Sequence, residues 1–266
     1  MPTTPEHSDS AQTFLAELLG KYIQQKAAAH HAGFANPENQ GDVVPYDAAT
    51  IQPVDAQLAW DEARSAIEYL APETDTSSWK VPPDWSNLVA HQGALTGIPF
   101  CLGNFPQEVQ DYSGLLQRDS FLLGKPTAPY AISSKLQAWL EKASWKTSHP
   151  NSLLAGAVLR LAGEFDQAEQ VLDDHKSKMP SVWRAAWANE EAALAWHRGR
   201  IEEAAAHWQK QAVSAPVLFN RGLADLVLGQ PDQAHKELSE AVRQLPENNA
   251  WHHLGQVYLA MVDLRR

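Results

Sequence analysis

Beyond residue 149, glycine and proline recur in a fixed pattern, and that pattern limits the possible fold more than any other feature of the chain. Gly163, Gly199 and Gly229 are spaced by 36 and 30 residues, and Pro180, Pro216 and Pro246 each follow one of them by 17. Ala168, Ala204 and Ala234 come five residues after these glycines, and Leu172, Trp208 and Leu238 come nine after. A second small-residue position, seven ahead of each glycine, holds Gly156, Ala192 and Gly222, and Gly255 opens a further unit. Every glycine beyond residue 149 falls on one of these two positions. The spacing predicts helical hairpins. The first glycine takes a left-handed turn between two helices, and the small residues let the helices approach. Pro180, Pro216 and Pro246 each end a second helix, Pro150 stands at the junction before the first unit, and Pro231 stands where a second helix begins. Glycine inside a helix costs about 1 kcal/mol relative to alanine, so three in equivalent places imply close packing that offsets the cost.

The segment holding Trp251, Leu254, Gly255 and Tyr258 then carries a recognisable signature. With the turns around Gly163 to Ala168 and Gly229 to Ala234, residues 149–266 resemble the tetratricopeptide repeat, a unit of two antiparallel helices. The middle unit spends two extra residues around Met179 to Trp183. The resemblance implies an all-α superhelix of three hairpins closed by a capping helix, about Asn249 to Leu264. It also implies a groove, lined by each first helix, that holds a partner's extended peptide. Carried over position by position, that groove comprises Leu153, Ala157 and Arg160 in the first unit, and Asn189, Ala193, Trp196 and His197 in the second. Phe219, Leu223 and Leu226 follow in the third, and His252, Gln256 and Leu259 in the last helix. Leu153 and Ala157 stand where family members that clamp a C-terminal carboxylate place lysine and asparagine, so no such clamp is expected.

Residues 1–148 show no repeat. Residues 1–10 read as a disordered tail and 11–148 as a helical strap region. Phe14, Leu15, Leu18, Leu19, Tyr22 and Ile23 recur at helical spacing across about Ser10 to His31. Residues 32–53 read as a loop rich in glycine and proline, and a second helix is expected from Val54 to Leu70. Between Ala71 and Pro129, seven prolines alternate with aromatics and short apolar stretches. That texture is too apolar for a disordered linker and predicts an ordered strap with short helices, such as Gln107 to Leu116. A further helix is expected over Ser133 to Trp145.

Charge and composition narrow the partners. Residues 1–148 carry 9 Lys and Arg against 17 Asp and Glu, and residues 149–266 carry 12 against 15. Neither half has the cationic surface that nucleic acid or an anionic membrane requires. The N-terminus lacks the basic-then-apolar order of a signal peptide, and no apolar run reaches the ~18 residues of a membrane span, so a cytoplasmic protein is expected. The single cysteine, Cys101, excludes an internal disulfide and a multi-thiolate zinc site. Glu203 and His207 share a helical face but have no third ligand, and the adjacent pairs His30–His31 and His252–His253 point apart. No metal, cofactor or catalytic residue is expected.

These readings converge on a non-enzymatic scaffold that binds a protein or peptide. Its apolar groove either takes a partner segment anchored on Trp196 and Phe219, or is filled by the chain's own N-terminal half. Self-filling accounts better for the Pro- and Trp-rich segment, because an exposed apolar groove invites aggregation. Two alternatives stay open. One is an enzyme with its site in residues 71–130, around Cys101, His91 and Asp111. The other is a homo-oligomer, with Val257, Ala260, Met261 and Leu264 of the capping helix forming a homodimer contact.

Overall fold

The computed structural model describes residues 56–77, 79–91, 97–104, 129–143 and 149–266, which belong to one compact unit, Pro53–Arg266. The segments expected as a tail (1–10), a first helix (10–31), a loop (32–53) and a short helix (107–116) lie outside the described residues. Among the described residues the protein is all-α, without a strand.

Helix α1 (Ala56–Leu70) buries Ala63, Ala66, Ile67 and Leu70, the stripe its apolar spacing requires. Helix α2 (Trp85–His91), a short helix of the strap at a place the sequence reading did not specify, follows a turn containing Pro82 and Pro83. Asp84 enters it at φ 59, a conformation aspartate tolerates better than most residues. Its carboxylate accepts a hydrogen bond from the Ser133 hydroxyl, which also caps α3 (Ser134–Ala143) by accepting from the Leu136 amide at 3.2 Å. One short contact thus joins the entries of two helices.

The remaining helices alternate with short turns: α4 (His149–Leu161), α5 (Phe165–Lys176), α6 (Arg184–His197), α7 (Ile201–Gln209), α8 (Ala215–Val227), α9 (Pro231–Gln244) and α10 (Ala250–Asp263). The three turns that close α4–α5, α6–α7 and α8–α9 are alike. Gly163, Gly199 and Gly229 have φ of 79°, 76° and 74°, and their amides donate to Arg160, Trp196 and Leu226. The next amide donates five residues back in each case, Glu164 to Leu159, Arg200 to Ala195 and Gln230 to Asp225. This double closure satisfies carbonyls that a helix end would otherwise leave open.

The second small-residue position sets close approaches, of α8 to α9 at Gly222 and of α10 to α9 at Gly255. A Cβ on Gly222 would lie 2.6 Å from Leu238 Cγ and 3.0 Å from its backbone nitrogen, and one on Gly255 would lie 2.6 Å from Val242 Cγ2. At both places a Cβ would force its neighbours to shift, whereas the middle hairpin accommodates Ala192 at this position. The prolines behave less uniformly than their spacing suggested. Pro246 does follow the end of α9, but Pro216 lies in the first turn of α8, because α7 has already ended at Gln209. Its fixed φ and missing amide suit a helix start as well as a helix end. The extra residues of the middle unit form a 3-10 turn over Ser181–Trp183, whose Trp183 is buried against Trp79 with ring centroids 5.3 Å apart.

Asp225 on α8 and Glu237 on α9 are both buried, and Asp225 Oδ2 and Glu237 Oε2 have no hydrogen-bond partner among the described residues. Burial, and then the charge of Glu237, pushes the Asp225 carboxyl up to about 6. The folded protein thus holds this proton more tightly than the unfolded chain. The penalty is fully present above pH 6 and fades as the pH falls toward the unfolded value near 4. Asp225→Asn is expected to stabilise the protein by roughly 1–2 kcal/mol at pH 8, with the gain vanishing by about pH 4. Thermal melts of both proteins across that range check the sign and the window.

Candidate peptide groove

Four helices present one face to the N-terminal segments. Helix α4 packs on α6 and α8 on α10, and α1 lies across both α6 and α8. Between them runs the segment Gly97–Asn104, in which all eight residues are buried. Its glycines and proline supply no helical periodicity, so its carbonyls and amides must find partners outside any ladder of their own. They find them on the helices.

Reading along the segment, the Gly97 carbonyl accepts from Trp196 Nε1 at 2.9 Å, and the Ile98 amide donates to the Tyr258 hydroxyl at 2.8 Å. At Phe100 both backbone groups are engaged. Its amide donates to Asn220 Oδ1 at 2.5 Å, while its carbonyl accepts from Asn220 Nδ2 at 3.0 Å and from Asn189 Nδ2 at 2.9 Å. The Leu102 carbonyl accepts from the Arg160 guanidinium, which also reaches Asn104 Oδ1 at 3.4 Å. From Ile98 onward the segment therefore runs from α10 toward α4, against the order of the repeats.

The two asparagines form a closed network. Asn189 Oδ1 accepts from Trp208 Nε1 and from Asn220 Nδ2, both at 3.0 Å, so each amide oxygen and nitrogen is used. Buried polar groups cost little only when satisfied in this way. The Phe100 ring fills an aromatic socket. It stacks on Trp251 with centroids 4.2 Å apart and planes at 7°, and meets Phe219 and Tyr69 edge-on at 5.9 and 6.0 Å.

At the α4 end, Arg160 and Glu190 form an ion pair at 2.5 Å with side chains only 0% and 1% exposed. Burial raises the Glu190 carboxyl above the ordinary carboxylate range, with the Arg160 charge and the Leu102 backbone opposing it. The same burial pushes the Cys101 thiol up to about 12, which favours its protonated form. His197 is pushed down to about 3, first by burial and then by the Arg160 charge, so its ring stays neutral. Its Nδ1 pairs with the Ala193 carbonyl at 2.7 Å.

Of the residues the sequence placed in a groove, Arg160, Asn189, Trp196 and Phe219 meet the segment directly. Leu223 is fully buried, and His197 lies beside Arg160 without a described bond to the segment. His252 and Gln256 sit elsewhere. His252 Nδ1 reaches the Val242 and Leu245 carbonyls at 3.1 Å, closing the end of α9, and its Nε2 pairs with Gln256. Three contributors from the repeat helices escaped the sequence reading, Asn220, Tyr258 and Trp251, as did Tyr69 of α1. Counting back from the turn glycine selects Phe219 in place of Asn220, and Trp251 and Tyr258 read as packing residues of the capping helix. An asparagine in the middle of a first helix, seen at both 189 and 220, was the available signal.

The outer apolar face expected on α10 is not present. Val257, Ala260 and Met261 are buried, and only Leu264 is exposed. Glu203 and His207 form an exposed pair at 3.9 Å, and the described residues contain no group of three or more metal-ligand side chains. None of the described helices is long and apolar enough to cross a membrane. The chain matches no protein-family model, and neither a curated protein nor a solved structure matches it.

Proposed function

We propose that the protein is a non-enzymatic scaffold of the tetratricopeptide type, which binds an extended peptide segment of a partner protein along the first helices of its repeats. Gly97–Asn104 occupies that face as an internal ligand. One observation carries the reading: Arg160, Asn189, Asn220 and Tyr258, drawn from four successive first helices, all address the main chain of one non-helical segment. Main-chain groups are common to every peptide, so a row of side chains aimed at them suits peptide capture. Of the residues named for an enzymatic site in 71–130, Cys101 is buried with its thiol pushed up to about 12 by that burial, and Asp111 lies outside the described residues.

Selection from a random peptide library tests this on the full chain, using wild type and a Phe100→Ala variant that loosens the internal ligand. The variant is expected to enrich peptides whose binding disappears when Asn220→Ala is added. Peptides that bind equally well with and without Asn220 would sink the reading.

A further inference from the structure

The internal ligand also defines what its replacement must look like. Three features of Gly97–Asn104 are read through side chain or backbone shape and are not shared by peptides in general. At Phe100, the socket formed by Trp251, Phe219 and Tyr69 fits a flat ring, and the near-parallel stack on Trp251 needs an aromatic face. Just before it, Pro99 has a ring-fixed φ and lacks an amide. The helices ask for none there, taking amides only at 98 and 100. Three residues after the ring, Gly103 has φ 75°, and a Cβ would strike Leu161 while lying 3.0 Å from Trp85. Another residue there is disfavoured twice, strained by the conformation and crowded by the Leu161 and Trp85 side chains. Asn104 completes the shape, since its Nδ2 donates back to the Pro99 carbonyl at 3.0 Å and its amide to Cys101 at 3.4 Å.

Resting on the function proposed above, we infer that the partner peptide carries a proline–aromatic step, followed three residues after the aromatic by glycine and then asparagine. It lies with its N-terminal end toward α10. The aromatic supplies the anchor, as buried rings do at most peptide interfaces. The glycine acts as the filter against other aromatic peptides, because a side chain there meets packed walls. In the intact protein, Gly97–Asn104 competes from the same chain at an effective concentration on the order of millimolar. The binding partner therefore presents the same pattern, not merely any apolar stretch.

The test uses the fluorescein-labelled octapeptide of sequence 97–104 under reducing conditions, titrated with full-length wild type and full-length Phe100→Ala. The variant is expected to bind the octapeptide at least about 10-fold more tightly than wild type. Alanine in the peptide at the Phe100 or the Gly103 place is expected to weaken binding at least about 10-fold. Equal binding of the parent and substituted peptides overturns the inference; if that binding still needs Asn220, the proposed function survives. A folded variant that binds no peptide overturns both. Should Phe100→Ala fail to fold, Phe100→Leu keeps an apolar side chain while losing the stack, and the same outcomes apply. A concentration-dependent dimer of wild type that Phe100→Ala abolishes would instead identify a second copy of the chain as the occupant, and would also overturn the inference.

Discussion

Arg160→Ala is expected to destabilise the protein by about 3–5 kcal/mol, the largest effect of any single substitution at the groove. The cause is what the change leaves behind. Glu190 would keep a carboxylate that is 1% exposed, with Oε2 already lacking a partner among the described residues, and would lose its counter-charge. The Leu102 carbonyl and Asn104 would lose their donor at the same time. Arg160→Met combined with Glu190→Gln removes both charges and keeps most of the volume. It is expected to cost clearly less than Arg160→Ala alone, because a buried ion pair contributes little beyond its apolar replacement. Urea unfolding of wild type, the single variant and the double variant checks both statements. A double variant no more stable than the single one would show that the guanidinium's bonds to the segment outweigh the ion pair.

Asn220→Ala should follow with a loss of about 3 kcal/mol. The Phe100 amide would be left buried and unbonded, and Asn189 would lose one of its two donors. Asn189→Ala removes a second donor from the Phe100 carbonyl and the acceptor of Trp208 Nε1. Since each asparagine completes the other's bonding, the double variant should lose less than the sum of the two single losses, by about 1 kcal/mol or more. A double-mutant cycle in urea measures that difference, and strict additivity would mean that the two side chains act separately.

Much of the hairpin architecture was legible in the sequence, because it rests on local backbone demands. A left-handed turn at Gly163, Gly199 and Gly229 requires glycine whatever surrounds it, and a helix crossing at Gly222 requires the missing Cβ. Prolines were a weaker guide, since Pro216 satisfies a helix start and a helix end equally well. The groove was legible only in part. Arg160, Asn189, Trp196 and Phe219 followed from counting along each first helix, but a slip of one residue turns a helix by about 100°, enough to overlook Asn220. The segment that fills the groove carries no periodic signal. Its partners lie as far as 160 residues along the chain, and they bind its backbone, which the letters of a sequence do not describe. Self-filling was foreseeable as a need to cover apolar surface; which eight residues meet that need was not.

A stack of helical pairs ordinarily holds together through neighbours alone, so that its ends fray while its middle stays folded. Here one short strand of chain is fastened to α4, α6, α8 and α10 in turn, and no pair can peel away without releasing a bond to it. That tether converts a row of nearest-neighbour contacts into a single all-or-none unit. The last helix, the natural place for fraying to begin, is bound through Tyr258 into the same cooperative event as the first.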